Sequence, residues 1–233
     1  MIEIHNVDAF DYLPTLPAES FDAIVTDPPY SSGGKDLQRR KGDGVNKYLK
    51  GCSMEFDDGT RDQIAHYSWT LQWLRACRRV LKDGGWLMVF TDWRQLPLMC
   101  TAVQVAGYCW QGVNTWHKPN SRPMLGRFFR GDEFIVMASK GRIDTTGQPR
   151  KSYPQQWAGM LSPKERHHAT SKPVDLMRHL LQAVRPGGRV LDPFAGGGST
   201  LVAAESMGLD SVGLEVTIDN YARLRARVDA MTQ

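Results

Sequence analysis

The chain has 233 residues, 41% of them hydrophobic and 7 of them Trp, enough for one large domain with a packed core. No run approaches the roughly 20 apolar residues of a membrane span, so an integral helical membrane protein is excluded. The formal net charge of +4 is unevenly spread: residues 35–50 carry +4 and residues 118–172 carry +7, leaving −7 for the remainder. A basic surface on an acidic scaffold is what a polyanion partner requires, although ordinary solvated loops would give the same count. The start, Met1-Ile2-Glu3-Ile4-His5, lacks the basic and apolar regions of a secretory signal. Cys52, Cys77, Cys100 and Cys109 show no CxxC spacing. Reduced, mostly buried thiols in a cytoplasmic protein are therefore expected.

In chain order, residues 21–26 read as a buried strand that two prolines stop. Residues 31–59, rich in Gly and charge, predict a long, mobile basic loop. Thr60-Arg61-Asp62-Gln63 has the form of a capping box. The helix that follows carries Ile64, Tyr67, Leu71, Leu74 and Leu81 at helical spacing and is expected to end at Gly84-Gly85. A second buried strand is predicted over 86–90, a helix over 94–106 closed by Gly107, and strands over 108–117 and 133–139. Residues 141–166 lack periodicity. A helix then runs from Pro173 to Pro186-Gly187-Gly188. It leads into a strand over 189–192, a glycine loop, a helix over 200–207, a strand over 211–215 and a last helix from Ile218. Strands alternating with helices predict an α/β fold, a mostly parallel sheet covered on both faces. Ligands of such sheets sit at the carboxyl ends of the strands, so the motifs that follow two of them face one crevice.

The first motif is Asp27-Pro28-Pro29-Tyr30. An exocyclic amine on adenine or cytosine is a poor nucleophile because its lone pair is delocalised into the ring. Acceptors on its two N–H bonds would draw the nitrogen toward tetrahedral geometry, and the Asp27 carboxylate and Pro28 carbonyl are such acceptors. Two prolines fix φ and remove competing backbone donors. Tyr30 offers a flat face for a base taken out of the stack. The second motif is Asp192-Pro193-Phe194-Ala195-Gly196-Gly197-Gly198-Ser199, between a strand and a helix. Its glycines allow a close approach of backbone to a ligand. Glu215 follows Asp192 near the roughly 20-residue offset at which an acid reaches ribose hydroxyls. Leu201 stands where the third glycine of GxGxxG would be, which argues against a dinucleotide. A nucleoside cofactor without pyrophosphate, such as S-adenosylmethionine, needs no such glycine. Read singly, the two motifs are also compatible with a proline turn and a generic strand-to-helix turn.

Together these residues resemble the DNA amino-methyltransferases, whose catalytic motif is (D/N/S)PP(Y/F/W) and whose cofactor motif is FxGxG. With the catalytic motif first, the order resembles the permuted β-class. Val7-Asp8-Ala9 resembles the segment that meets the cofactor's adenine, and His168-Ala169-Thr170-Ser171-Lys172-Pro173 resembles the one that meets its methionine portion. The resemblance implies a Rossmann-like sheet with an antiparallel edge hairpin formed by 108–117 and 133–139. It implies S-adenosylmethionine as cofactor and double-stranded DNA as partner, and it allows a homodimer. Carried over by position, Asp27, Pro28, Pro29 and Tyr30 serve the base. Asp8, Ala9, Ser171, Lys172, Asp192, Phe194, Gly196, Gly198 and Glu215 serve the cofactor. Asp at the first motif position points to N6 of adenine by family tendency. N4 of cytosine, an RNA substrate and a non-catalytic nucleic-acid-binding module stay open as alternatives.

The β-class usually has a sizeable target-recognition region before the Lys-Pro segment. Here residues 141–166 alone are available, inside a single catalytic domain spanning 1–233. Arg39, Arg40, Lys41, Arg127 and Arg130 are expected to contact phosphates, which gives affinity without reading bases. His167-His168 lacks further ligands at zinc-like spacing, and no metal is expected. Trp69, Trp73 and Trp86 read as core, whereas Trp116, Tyr153 and Trp157 lie in or beside basic segments, where nucleic-acid contact is open.

Overall fold

The structure, a computed structural model, describes residues 1–30, 63–120, 125–126, 128–129, 131–147, 151–161 and 172–231. Eight strands form one sheet: β1 (Ile2–His5), β2 (Phe21–Thr26), β3 (Leu81–Thr91), β4 (Cys109–His117), β5 (Asp132–Ser139), β6 (Gln156–Ala158), β7 (Arg189–Asp192) and β8 (Asp210–Leu214). Their order is β1-β8-β7-β2-β3-β5-β4-β6. β5 is antiparallel to both of its neighbours, while the other pairings are parallel. The helices are α1 (Ala9–Tyr12), α2 (Gln63–Val80), α3 (Leu96–Val105), α4 (Val174–Leu181), α5 (Ser199–Ser206) and α6 (Ile218–Asp229).

Both faces of the central strands are dry, as a covered parallel sheet demands. Successive residues alternate between two cores. Ile24, Leu87 and Val89 join Trp73, Leu74, Cys77 and Val103 of α2 and α3 on one face. Ala23, Val25, Met88 and Phe90 join Leu176, Leu180, Ala203 and Ala204 of α4 and α5 on the other. The α/β architecture expected from the alternation of elements is therefore the one found, with helices on both faces.

Three details depart from the sequence reading. Gly84-Gly85 does not end a helix: α2 stops at Val80, and both glycines lie within β3. Gly84 has φ +79° and a Cβ there would lie 2.6 Å from the Asp144 Cβ. The pair marks an irregularity in β2–β3 register where two backbones approach closely. Second, the β4–β5 hairpin is not outermost, because β6, from the aperiodic stretch, pairs with β4 at the edge. Third, Ile2–His5 is a strand lying on β8, too short to announce itself by pattern. Of the described cysteines, Cys77 is buried, Cys100 partly buried and Cys109 exposed, so they are not mostly buried as expected. The loop expected over 31–59 and the capping residue Thr60 lie outside the described residues.

Among the described residues no helix is long and apolar enough to cross a membrane. Trp73 of α2 is fully buried and packs edge-on against Phe194 with ring centroids 5.5 Å apart. Trp73→Ala should lower unfolding free energy by about 3–5 kcal/mol, measured by urea denaturation, because a large cavity opens beneath the glycine loop.

Candidate active site

The carboxyl ends of five neighbouring strands carry acids. Asp8 follows β1, Glu215 follows β8, Asp192 ends β7, Asp27 follows β2, and Asp92 follows β3. Parallel pairing brings these ends to one edge irrespective of their distance in sequence.

Asp192 is 3% exposed and accepts three hydrogen bonds. Its Oδ1 accepts from Thr26 Oγ1 at 2.7 Å and from the Phe194 amide at 3.1 Å. Its Oδ2 accepts from Thr200 Oγ1 at 2.6 Å. The carboxylate thus ties the end of β2, the glycine loop and the first turn of α5 together. Burial pushes its pKa up to about 6, against the pull of the Thr200 and Thr26 hydroxyls and the Phe194 amide. Thr26 and Thr200 carry no motif signal and were not legible as site residues.

In the glycine loop Gly196 has φ +48°, and a Cβ built there meets nothing nearer than the Phe194 carbonyl at 4.0 Å. The loop's outer surface at Gly196 is therefore open. Gly198, at φ +75°, is required for packing instead, since a Cβ would lie 2.4 Å from Leu224 of α6. Glu215 accepts from the Gly196 amide at 3.0 Å and from the Thr217 amide at 2.8 Å, one bond per oxygen. Each oxygen keeps an unused acceptor direction, which suits vicinal hydroxyls. Asp8 caps α1 by accepting from the Phe10 amide at 2.8 Å. Its neighbour Val7 donates to the Glu215 carbonyl at 3.2 Å, so the segment carrying Asp8 and Ala9 runs beside Glu215. Phe194 also lies 5.6 Å from Trp69, which backs the loop with aromatic rings. Open glycine backbone, a two-oxygen acceptor and an aromatic flank together fit the adenosyl part of S-adenosylmethionine.

At Asp27 the two carboxylate oxygens accept from different donors, Tyr30 Oη on Oδ1 and Lys172 Nζ on Oδ2. Pro28 is buried, Pro29 and Tyr30 partly so. Burial raises the Asp27 pKa and outweighs the attraction of Lys172, with Glu133 adding to the rise. Lys172 itself is 6% exposed. Burial alone would lower its pKa, but Asp27 and Glu133 outweigh that and hold it raised, so it stays an ammonium. Its backbone carbonyl accepts from Ser199 Oγ at 2.7 Å, joining it to the glycine loop. Glu133 of β5 is the acid that the sequence reading missed. Its one signal was a carboxylate at the start of a predicted strand inside a strongly basic segment. Burial would raise its pKa, but Lys172 and Lys118 overcome this and lower it.

Ser171, Arg39, Arg40, Lys41, Arg127 and Arg130 lie outside the described residues, as do His167 and His168. Among the described residues no group of three or more His, Cys, Asp or Glu could hold a metal. Trp116 is 4% exposed and its indole N–H donates to the Gly159 carbonyl at 2.9 Å, a structural role. Trp157 and Tyr153 are partly buried and pack on the core formed with α4 and α5.

The family model for N6/N4 DNA methylases matches residues 21–224. The chain belongs to this family. Its sequence is 27% identical over 251 residues to the type II methyltransferase M2.DpnII of Streptococcus pneumoniae, covering 99% of this chain and 90% of that one. The fold of this methylase is similar to that of the M1.HpyAVI–SAM complex (TM-score 0.71, 21% identity, 98% of this chain and 100% of that chain). It is likewise similar to the PvuII DNA methyltransferase, described as cytosine-N4-specific (TM-score 0.75, 16% identity, 97% and 86%).

The raised pKa of Asp192 has a sign that can be measured. A group whose folded pKa exceeds its unfolded one stabilises fully below the unfolded value and loses that contribution as pH rises through the folded value. With a shift from 3.8 to about 6, wild type should gain stability relative to Asp192→Asn on acidification from neutral pH, by up to roughly 3 kcal/mol. Urea unfolding of both proteins between pH 7 and pH 4 reads this difference.

Proposed function

We propose that this methylase transfers the methyl group of S-adenosylmethionine to N6 of adenine in double-stranded DNA, on a base swung out of the helix. The observation that carries the reading is Asp27, a partly buried carboxylate on the sheet edge that carries Glu215 and the glycine loop. Asp27 and the Pro28 carbonyl accept the two N–H bonds of the target amine and bring its lone pair out of conjugation. Tyr30 stacks on the base and, through its hydroxyl on Asp27, fixes the carboxylate. S-adenosylmethionine supplies an electrophilic sulfonium methyl, so a new N–C bond forms as the C–S bond breaks. The amine proton, acidic once nitrogen carries the methyl group, leaves by way of Asp27 to solvent.

Glu215 takes the ribose hydroxyls, Gly196 and Gly198 shape the loop against the nucleoside, and Phe194, Asp8 and Ala9 border it. We assign Ser171 and Lys172 to the methionine portion of the cofactor. Asp at the first motif position supports adenine. N4 of cytosine is the second reading, because it presents the same two N–H donors and the family model spans both products. We read the chain as one catalytic domain in which residues 141–166 contribute to target recognition. Phosphate contacts come from the basic residues of 31–59 together with Arg127 and Arg130.

Asp27→Ala should reduce methyl transfer by at least about 100-fold while leaving DNA affinity within a few-fold of wild type, since one acceptor of the transition state is lost. Filter binding beside a labelled-methyl assay checks both halves, and activity near wild type would refute the role of Asp27. Mass spectrometry of nucleosides from treated DNA should show N6-methyladenine. N4-methylcytosine without it would establish the second reading.

A further inference from the structure

Glu133 has no part in the reading above, yet it is a second carboxylate within reach of Lys172. Its Oε1 accepts from Lys118. Its Oε2 is buried and accepts no hydrogen bond among the described residues, while Lys172 Nζ lies 3.4 Å away. That separation is an ion pair short of a good hydrogen bond. A buried carboxylate oxygen without a donor is costly, and the ammonium 3.4 Å from it is already held by Asp27.

Each oxygen of Asp27 already accepts one donor, Tyr30 on one and Lys172 on the other, and keeps one acceptor direction. The Lys172 ammonium competes with a target amine for the carboxylate's charge, so Asp27 accepts from the amine more strongly once Lys172 gives way. We propose that Glu133 is a positioning residue that takes the Lys172 ammonium from Asp27 as the target amine arrives; this rests on Asp27 being the amine's acceptor. Closing the 3.4 Å gap by less than about 1 Å gives a charge-assisted hydrogen bond of ordinary length. The backbone at Lys172 need not move, because Ser199 holds its carbonyl. The receiving oxygen is fixed too: Glu133 sits in β5 opposite Trp116, and Lys118, 4.2 Å over the Trp116 ring, holds the other oxygen. The number of buried charges is unchanged by the exchange, so no group must be neutralised.

The test uses single-turnover methylation with enzyme in excess, which reads rates far below wild type. Glu133→Gln should slow the step by about 100-fold, the scale of a misplaced catalytic group. S-adenosylmethionine affinity by calorimetry and the melting temperature should stay near wild type, which a merely structural role for Glu133 would not allow. In a Lys172→Met background no ammonium needs removing, so adding Glu133→Gln should change the rate less than twofold. Equal fractional losses in both backgrounds, or a wild-type rate in Glu133→Gln, overturn the proposal. Asp27→Ala in the same assay separates the two readings. If it stays active, the role of Asp27 fails; if it is inactive while Glu133→Gln is not, only the role of Glu133 fails.

Discussion

The site depends first on one buried carboxylate. Asp192 is the point where β2, the glycine loop and α5 meet, through Thr26, the Phe194 amide and Thr200. A carboxylate taken out of water is stable only when its lone pairs are used, and three donors from three segments use them here. Because those donors come from segments far apart in the chain, the acid ties the end of β2, which Asp27 follows, to the glycine loop after β7. Replacing it by an apolar residue of similar size would remove the desolvation cost and with it the geometric tie. The raised pKa is the measurable trace of that compromise.

Around this fixed point the electrostatics are arranged in series. Tyr30, Asp27, Lys172, Glu133 and Lys118 form one chain of alternating donors and acceptors from β2, β4, β5 and the segment before α4. Asp27 and Glu133 are both partly buried beside the same ammonium, yet their acidities move in opposite directions. The difference is the second lysine: Glu133 has two cations within reach and Asp27 has one. The second cation favours the ionised form of Glu133, while Lys172 stays hydrogen-bonded to Asp27 and 3.4 Å from Glu133.

Much of this was legible in the sequence because local chemistry and global fold agree. Two prolines after a β-branched run, and glycines between an apolar strand and a helix, gain their meaning from occurring together in one chain. Strands 21–26 and 189–192 lie at their predicted bounds, whereas the strand predicted over 86–90 begins five residues earlier, at Leu81. What escaped shares a cause: it is visible only once distant segments are adjacent. Glu133 is an unremarkable strand residue until β5 lies beside β3 and Lys172 reaches it. Gly84-Gly85 looks like a helix stop because glycine favours positive φ in either setting, and only the closeness of Asp144 shows it to be an irregular strand. Residues 156–158 gain strand character from β4, not from their own pattern.

The same geometry is indifferent to the order of the motifs. Thr26 and Asp192 are 166 residues apart in the chain and 2.7 Å apart in space, because β2 and β7 pair directly through Ala23–Val190 and Ile24–Leu191. A parallel sheet defines its functional edge by strand direction alone. The chain can enter it at any strand and still deliver the acceptor and the glycine loop to one crevice. What permutation cannot alter is strand adjacency: β2 must lie beside β7, and β7 beside β8, for Asp27, Asp192 and Glu215 to line up.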